Sequence, residues 1–200
     1  MTTRPNLLGA VLAATTVATI GFSAPAQAVP LIGIGASAGA HIGYLSGDKQ
    51  GASISGPAFE LDGNVDAFGF DVAGNLISRL GSDEMLAEVG LRKELSFIPM
   101  ISLKPGIFYQ GQSLFSPTFD HGAGARVDLG LSPILSPLTF EGSVGVSYPL
   151  SYQHAIASYM LGANLSLIPM TSIGVRYRGY RDLAVTSDIS VMELGLRVSI

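Results

Sequence analysis

The chain has 200 residues, of which 48% are hydrophobic and only 13% charged, with a formal net charge of −4. So apolar a composition, against the roughly 25% charge of an ordinary soluble domain, excludes disorder, and the scattered Lys and Arg form no basic patch for nucleic acid. The absence of Cys removes any disulfide framework or lipid-modified cysteine anchor, and 25 Gly argue against a bundle of membrane helices.

The first segment reads as a secretory signal. Arg4 supplies the positive start, Leu7 to Phe22 the apolar core, and Ala26-Gln27-Ala28 a small-residue cleavage site. The apolar stretch is shorter than the roughly 20 residues of a spanning helix and Pro25 interrupts it. Cleavage after Ala28 is expected, leaving 29–200 as one domain.

From residue 32 to 45 the chain alternates strictly. Ile32, Ile34, Ala36, Ala38, Ala40, Ile42 and Tyr44 share one face, and Gly33, Gly35, Ser37, Gly39, His41 and Gly43 the other. That period of two predicts a strand, and the glycines of Gly33 to Gly39 lie along one strand face rather than forming a phosphate-cradling loop before a helix. A weaker strand is expected over 52–61, interrupted by Gly56-Pro57, then a tight turn at Asp62-Gly63-Asn64 and a strand over 65–78. Over 84–97, Met85, Ala87, Val89, Leu91, Leu95 and Phe97 oppose Glu88, Gly90, Arg92 and Glu94. Lys93 falls on the apolar face near a strand end, where a long side chain can bury its stem and keep its ammonium at the interface. The strand over 101–112 contains Pro105, which must occupy a bulge or lose a ladder bond.

Further strands are expected over 120–131, 138–149, 155–167, 171–181 and 188–200. In three of them the charges away from the strand ends face opposite the bulky apolar residues: Arg126 and Asp128 oppose Val127 and Leu129, Glu141 opposes Phe140, and Glu193 and Arg197 oppose Met192, Leu194, Leu196 and Val198. Three related phrases, Leu95 to Leu103, Leu131 to Leu138 and Leu165 to Ile173, recur about every 35 residues and carry Pro99, Pro133, Pro137 and Pro169. Proline cannot donate to a ladder, so these phrases mark turns between successive strand pairs. The long segments number nine; the turn at 62–64 and the requirement for both termini on one side raise the expected count to ten, with eight as the alternative.

The polar face is rich in Gly and Ser with interspersed charge, and the opposite face carries the bulky Leu, Ile, Val and Phe. Small polar residues inside and large apolar ones outside describe a closed barrel in lipid, where every backbone group is paired and no edge is left. The expected fold is therefore an all-β, antiparallel, up-and-down transmembrane barrel in an outer membrane. Tyr44, Tyr109 and Tyr148 at one end and Phe97 and Phe140 at the other make two aromatic girdles. With the termini in the periplasm, the segments near 46–51, 79–83, 113–119, 150–154 and 182–187 face outside and are short, leaving little protein to make a lid or receptor.

The signal segment, the Gly-rich alternating strands, the Pro-bearing turns and the amphipathic last strand resemble the small outer-membrane β-barrels of Gram-negative-type bacteria. Gly124-Ala125-Arg126, Ser172 to Arg178 and the closing strand Glu193 to Ile200 are similar to YfaZ-type proteins. The resemblance implies an outer-membrane location, insertion by the barrel-insertion machinery and, for porin-like members, a passive pore. The family pattern closes on an aromatic residue, whereas this chain closes on Ile200.

Among candidate functional groups, the inward charges stand out: Glu88, Arg92, Glu94, Lys104, Arg126, Asp128, Glu141, Arg176, Arg178, Glu193 and Arg197. In a narrow lumen such groups must pair or meet water; they either fill the barrel or line a constriction that selects solutes. Filling is favoured at this strand number. A lipid-modifying enzyme is the competing reading, with His41, His121 or His154 as base and Ser151 or Ser158 as nucleophile; it requires Ser151, His154 and an acid at one level. No shared level is evident, so no catalytic residue is assigned. No His, Asp or Glu spacing suggests a metal, and no cofactor is expected. A soluble exported barrel holding an apolar ligand is the third possibility.

Overall fold

In the computed structural model the described residues are 34–98, 100–116, 118–185 and 187–200. The signal segment 1–28, the strand start at 32–33, Pro99 and the Phe97 side chain lie outside them.

The strands are β1 (Ile34–Lys49), β2 (Ala52–Ala67), β3 (Phe70–Arg79), β4 (Met85–Lys93), β5 (Leu95–Ile98), β6 (Ile101–Gln112), β7 (Asp120–Leu131), β8 (Leu138–Pro149), β9 (Ile156–Ile168), β10 (Thr171–Asp182) and β11 (Asp188–Ser199). Successive strands pair antiparallel, β1 pairs with β11 and β4 with β6, so the sheet closes on itself. β4 and β5 meet β6 in one register, with Arg92 opposite Gly106 and Leu95 opposite Leu103. They are one barrel strand interrupted at Glu94, and the barrel has ten strands. Pro105, which lacks an N–H, lies in β6 beside that interruption while keeping its place opposite Val127 of β7.

The count of ten is right, but the turn that led to it is not. Asp62, Gly63 and Asn64 are mid-strand in β2, opposite Gly39, Ala38 and Ser37 of β1. The chain reverses instead at Phe68-Gly69, both at positive φ (57° and 75°), as a two-residue hairpin requires. β2 is therefore one strand of 16 residues rather than the separate strands expected over 52–61 and 65–78. Turn propensity at Asp-Gly-Asn yields here to the ladders on both sides of β2 and to the ion pairs of Asp62 described below.

The turns that carry Pro133, Pro137 and Pro169 lie at the end of the barrel where β1 begins and β11 ends. The repeated serines tie these turns together: Ser132 N–H donates to the Met100 carbonyl, Ser166 to Pro137 and Ser199 to Met170, each at 2.8 Å. At the opposite end the connections are 50–51, 80–84, 113–119, 150–155 and 183–187.

The two faces of the wall separate as the alternation dictates. Ile42, Ile107, Leu161 and Met192 are about two-thirds exposed on the outside, whereas His41 and Glu193 on the inside are buried at 3%. A closed wall with an apolar exterior and a polar interior is a solution for lipid, since no unpaired backbone edge meets the hydrocarbon. Lys93 sits on this exterior with its ammonium 5.8 Å from the Phe70 ring centre, at the end nearest the termini.

Candidate functional site: the barrel lumen

The lumen contains a charged network and, outward of it, an apolar seal. Every strand contributes alternate side chains to the interior, so the network is drawn from residues distant in sequence. Arg176 is its centre. Its Nη1 donates to Asp62 (2.8 Å), its Nε donates to Glu141 (2.6 Å), and Nη1 lies 3.6 Å from Glu60. Arg197 bridges the same two carboxylates, Asp62 at 2.9 Å and Glu141 at 3.4 Å, and Arg178 donates to Glu60 at 2.7 Å. His41 Nε2 lies 2.7 Å from Asp62.

A second cluster occupies the facing wall. Arg92 donates to Asp128 (2.6 Å) and Asp71 (2.8 Å), while Lys104 meets Asp71 and Glu94 at 3.2 Å each. Arg126 donates to Glu88 (3.0 Å) with its guanidinium 4.6 Å from the Phe108 ring centre. Asn75 joins the clusters: with its amide oriented to suit both neighbours, it donates to Glu88 (3.2 Å) and accepts from Arg178 (3.0 Å). Glycines make room for these side chains. A Cβ at Gly162 would stand 2.8 Å from Glu141 and 3.1 Å from Arg176, and one at Gly195 would strike the His41 ring.

All eleven expected lumen charges are on the inner wall, and Glu88, Arg92, Glu94, Lys104, Arg126, Asp128, Glu141, Arg176, Arg178 and Arg197 are joined in ion pairs. The sequence reading missed His41 as a network member, together with Glu60, Asp62, Asp66 and Asp71. Four of the five lie in β2 or just after it, where the misplaced turn broke the pattern. With 52–67 taken as one strand, Glu60, Asp62, Asn64 and Asp66 fall in phase opposite Phe59, Leu61 and Val65. A cavity of about 220 Å³ lies among these charges, lined by Asp62, Asp71, Arg92, Lys104, Asp128 and Arg197 among others. Exposure falls along it. Near the termini the Glu94 and Asp66 side chains are 31% and 26% exposed, and further in Glu60 is at 0% and Arg176 at 2%.

Outward of Glu60 the lumen becomes apolar. Leu45, Ala58, Ile77, Leu86, Ile156, Tyr180, Ile189 and Val191, from seven strands, point inward and meet Leu114 and Phe115 of the 113–119 connection. Phe115 is 1% exposed and Leu114 fully buried. Two side chains of one short connection thus fold inward over the lumen, where little protein was expected to be available for a lid. Gln112 holds them by accepting from the N–H groups of Leu114 (3.1 Å) and Phe115 (3.2 Å), and Lys49 and Gln50 donate to the carbonyls of Ser113 (2.7 Å) and Phe115 (2.9 Å).

The outer rim is ordered by two buried carboxylates. Asp120 accepts from the N–H groups of His121, Ser151 and Tyr152, and Asp182 from those of Ala184 and Val185. His154 Nδ1 lies 3.3 Å from Asp182, and burial followed by the same carboxylate pushes the Tyr152 phenol up to about 12. Ser151 is thus tied to Asp120 and His154 to Asp182. His41 lies deep in the lumen, His121 stacks on Tyr109 with ring centres 6.0 Å apart, and Ser158 approaches Gly145 on the inner wall. Among the described residues no group of His, Asp and Glu is arranged to hold a metal ion.

Of the girdle residues, Tyr44, Tyr109 and Tyr148 are half-exposed on the outer part of the exterior and Phe140 near the end with the termini. Tyr159 and Tyr177, ring centres 6.0 Å apart, extend the outer belt, and Phe70 extends the inner one.

The closed wall, the apolar exterior between aromatic belts and the polar interior define a β-barrel protein of the outer membrane, embedded in its lipid. No family model and no curated protein matches the chain. Among solved structures it is similar to Neisserial surface protein A, at 12% identity and TM-score 0.40, covering 82% of this chain and 96% of that one. It is also similar to an anion-selective porin from Comamonas acidovorans, at 6% identity and TM-score 0.48 (84% and 99% covered), and to the outer membrane protease OmpT from Escherichia coli, at 10% and 0.44 (88% and 99%). At these values the assignment rests on the geometry of the chain itself.

Proposed function

We propose that this protein is a non-enzymatic, structural barrel of the outer membrane, of YfaZ type, with its lumen shut toward the outside and reached by water from the periplasm alone. The observation that carries this reading is the apolar seal, in which Leu45, Ile77, Leu114, Phe115, Ile189 and Val191, each at 1% exposure or less, pack in one cluster outward of Glu60. Ions do not cross a dry constriction lined by such side chains. The ion-paired network below it joins the strands across the lumen and helps to hold them in register. The YfaZ-type reading rests on the sequence resemblance, and three of the residues that carry it, Arg126, Arg176 and Arg178, are network members here. A signal cleaved after Ala28 and delivery to the barrel-insertion machinery through β11 complete the proposal.

Planar-bilayer recording on the refolded protein tests this. No steady conductance is expected at neutral pH; a steady ohmic current from the wild-type barrel overturns the closed reading in favour of a narrow passive pathway. Heat-modifiable gel migration of the membrane fraction checks the barrel itself.

A further inference from the structure

The boundary between seal and network holds one carboxyl group that no ion pair among the described residues accounts for, beside a second that is engaged through only one of its oxygens. Glu193 lies on the inner face of β11, one inward position below Val191 of the seal, and is 3% exposed. Neither of its carboxyl oxygens has a hydrogen-bond partner among the described residues. Glu60 of β2, fully buried, stands across β1 from it: Gly43 of β1 pairs with Glu193 on one side and, on the other, with Ala58, one inward position from Glu60, and having no side chain it leaves Glu193 room over the strand between them. One oxygen of Glu60 is taken by Arg178 (2.7 Å) and approached by Arg176 (3.6 Å), and the other has no donor.

The surroundings leave no cation to spare. From β10, Arg176 is engaged by Asp62 and Glu141, and Arg178 by Glu60 and Asn75; Tyr180 closes the same wall from above. From β1, His41 is turned to Asp62 and Gly43 lies opposite Glu193 in the ladder. Asp62 of β2 and Glu88 of β4 add negative charge, and Arg126 of β7 is held by Glu88. An ionised carboxylate buried without a donor, facing a second carboxylate, is strongly disfavoured; one proton between the two supplies the missing donor and removes the repulsion.

We infer that Glu60 and Glu193 share one proton at the floor of the seal and act as a pH-sensitive latch, closed while the proton is held and sprung by its loss. This rests on the closed-barrel reading above. Deprotonation leaves two carboxylates face to face, and the side-chain rearrangement that relieves them disturbs the packing of Val191, Ile189 and Ala58 of the seal, which the same two strands carry directly above. Rising pH therefore loosens the outer closure from inside.

Two measurements on the refolded full-length barrel, wild type and Glu193→Gln, decide the matter. The amide of E193Q keeps the shape and is a permanent donor to Glu60. Infrared difference spectroscopy is expected to show a protonated-carboxyl stretch in the wild type at neutral pH, lost at alkaline pH and absent in E193Q. Bilayer recording is expected to show at least tenfold more frequent openings in the wild type at alkaline than at neutral pH, with E193Q silent at both. Absence of the band in the neutral wild type overturns the shared proton, and the same pH response in both proteins overturns the latch. Should E193Q not fold, the wild-type band and its titration still decide on the proton. Steady current at neutral pH would sink the closed-barrel reading instead, and the infrared result stands apart from it.

Discussion

The inner and outer parts of the lumen are built from the same strands by opposite means. Toward the termini the inward positions are charged and the interior is held by ion pairs around Arg176 and Arg92; toward the outside the inward positions of seven strands are apolar and pack against Leu114 and Phe115. The strand period decides only that a residue points inward. What it meets there depends on its height in the barrel. The difference separates two sources of stability, one in which each cation compensates several buried acids and one that scales with apolar area.

The comparison can be broken most severely at Arg176. Arg176→Met leaves Glu60, Asp62 and Glu141 short of their shared cation in a buried site, and a loss of about 3–5 kcal/mol is expected, read from denaturant unfolding of the barrel in detergent. Phe115→Ala attacks the other part. It is expected to cost about 3 kcal/mol and, unlike the arginine change, to raise bilayer conductance by removing the side chain that closes the top. If Phe115→Ala stays silent in the bilayer, the seal does not reside where it has been placed.

Smaller effects sharpen the contrast. Asp120→Ala removes the acceptor for the Ser151 and Tyr152 N–H groups, and about 1–2 kcal/mol of local protection is expected to be lost, seen as faster amide exchange over 150–155 with the lumen network unchanged. Lys104→Ala, at the hydrated end of the network, is expected to cost no more than about 1 kcal/mol, because its side chain is 22% exposed and water screens its pairs. Least of all is the rim pair Arg79–Glu84. Burial opposes ionisation of Glu84, but hydrogen bonds from Ser82 and Arg79 and the charges of Arg79 and Lys49 outweigh it and hold the carboxyl below its usual range. Its contribution is therefore complete above the ordinary carboxylate range and fades as pH falls, so amide exchange in 80–84 should quicken on acidification.

Most of the wall was legible in the sequence, because a strand with one face in lipid and one in a polar lumen writes its orientation into every second residue. Pro133, Pro137 and Pro169 gave turns at the end where β1 begins and β11 ends for the same kind of local reason. Where local signals conflicted, the reading failed: Asp62-Gly63-Asn64 has better turn chemistry than Phe68-Gly69, yet it lies within β2, its ladder continuous on both sides and Asp62 held by His41, Arg176 and Arg197. The seal was hidden for another reason. Leu45, Ile77, Leu86, Ile189 and Val191 are apolar residues in polar phase, and within one strand each looks like an irregularity at its end.

The alternation of apolar and polar residues, the Gly-rich inner face and the placement of Pro therefore determined by themselves that the chain is a membrane barrel and which side chains turn inward, since these follow from local geometry and the demand that lipid leaves no backbone group unpaired. Only closure of the barrel decided that Arg176 meets Asp62, 114 positions away, and that Phe115 joins one cluster with Leu45 and Val191. Those contacts run across the lumen between strands that are not neighbours in the sheet or with a connection that folds inward, and they are fixed by strand number and stagger, which no single segment encodes.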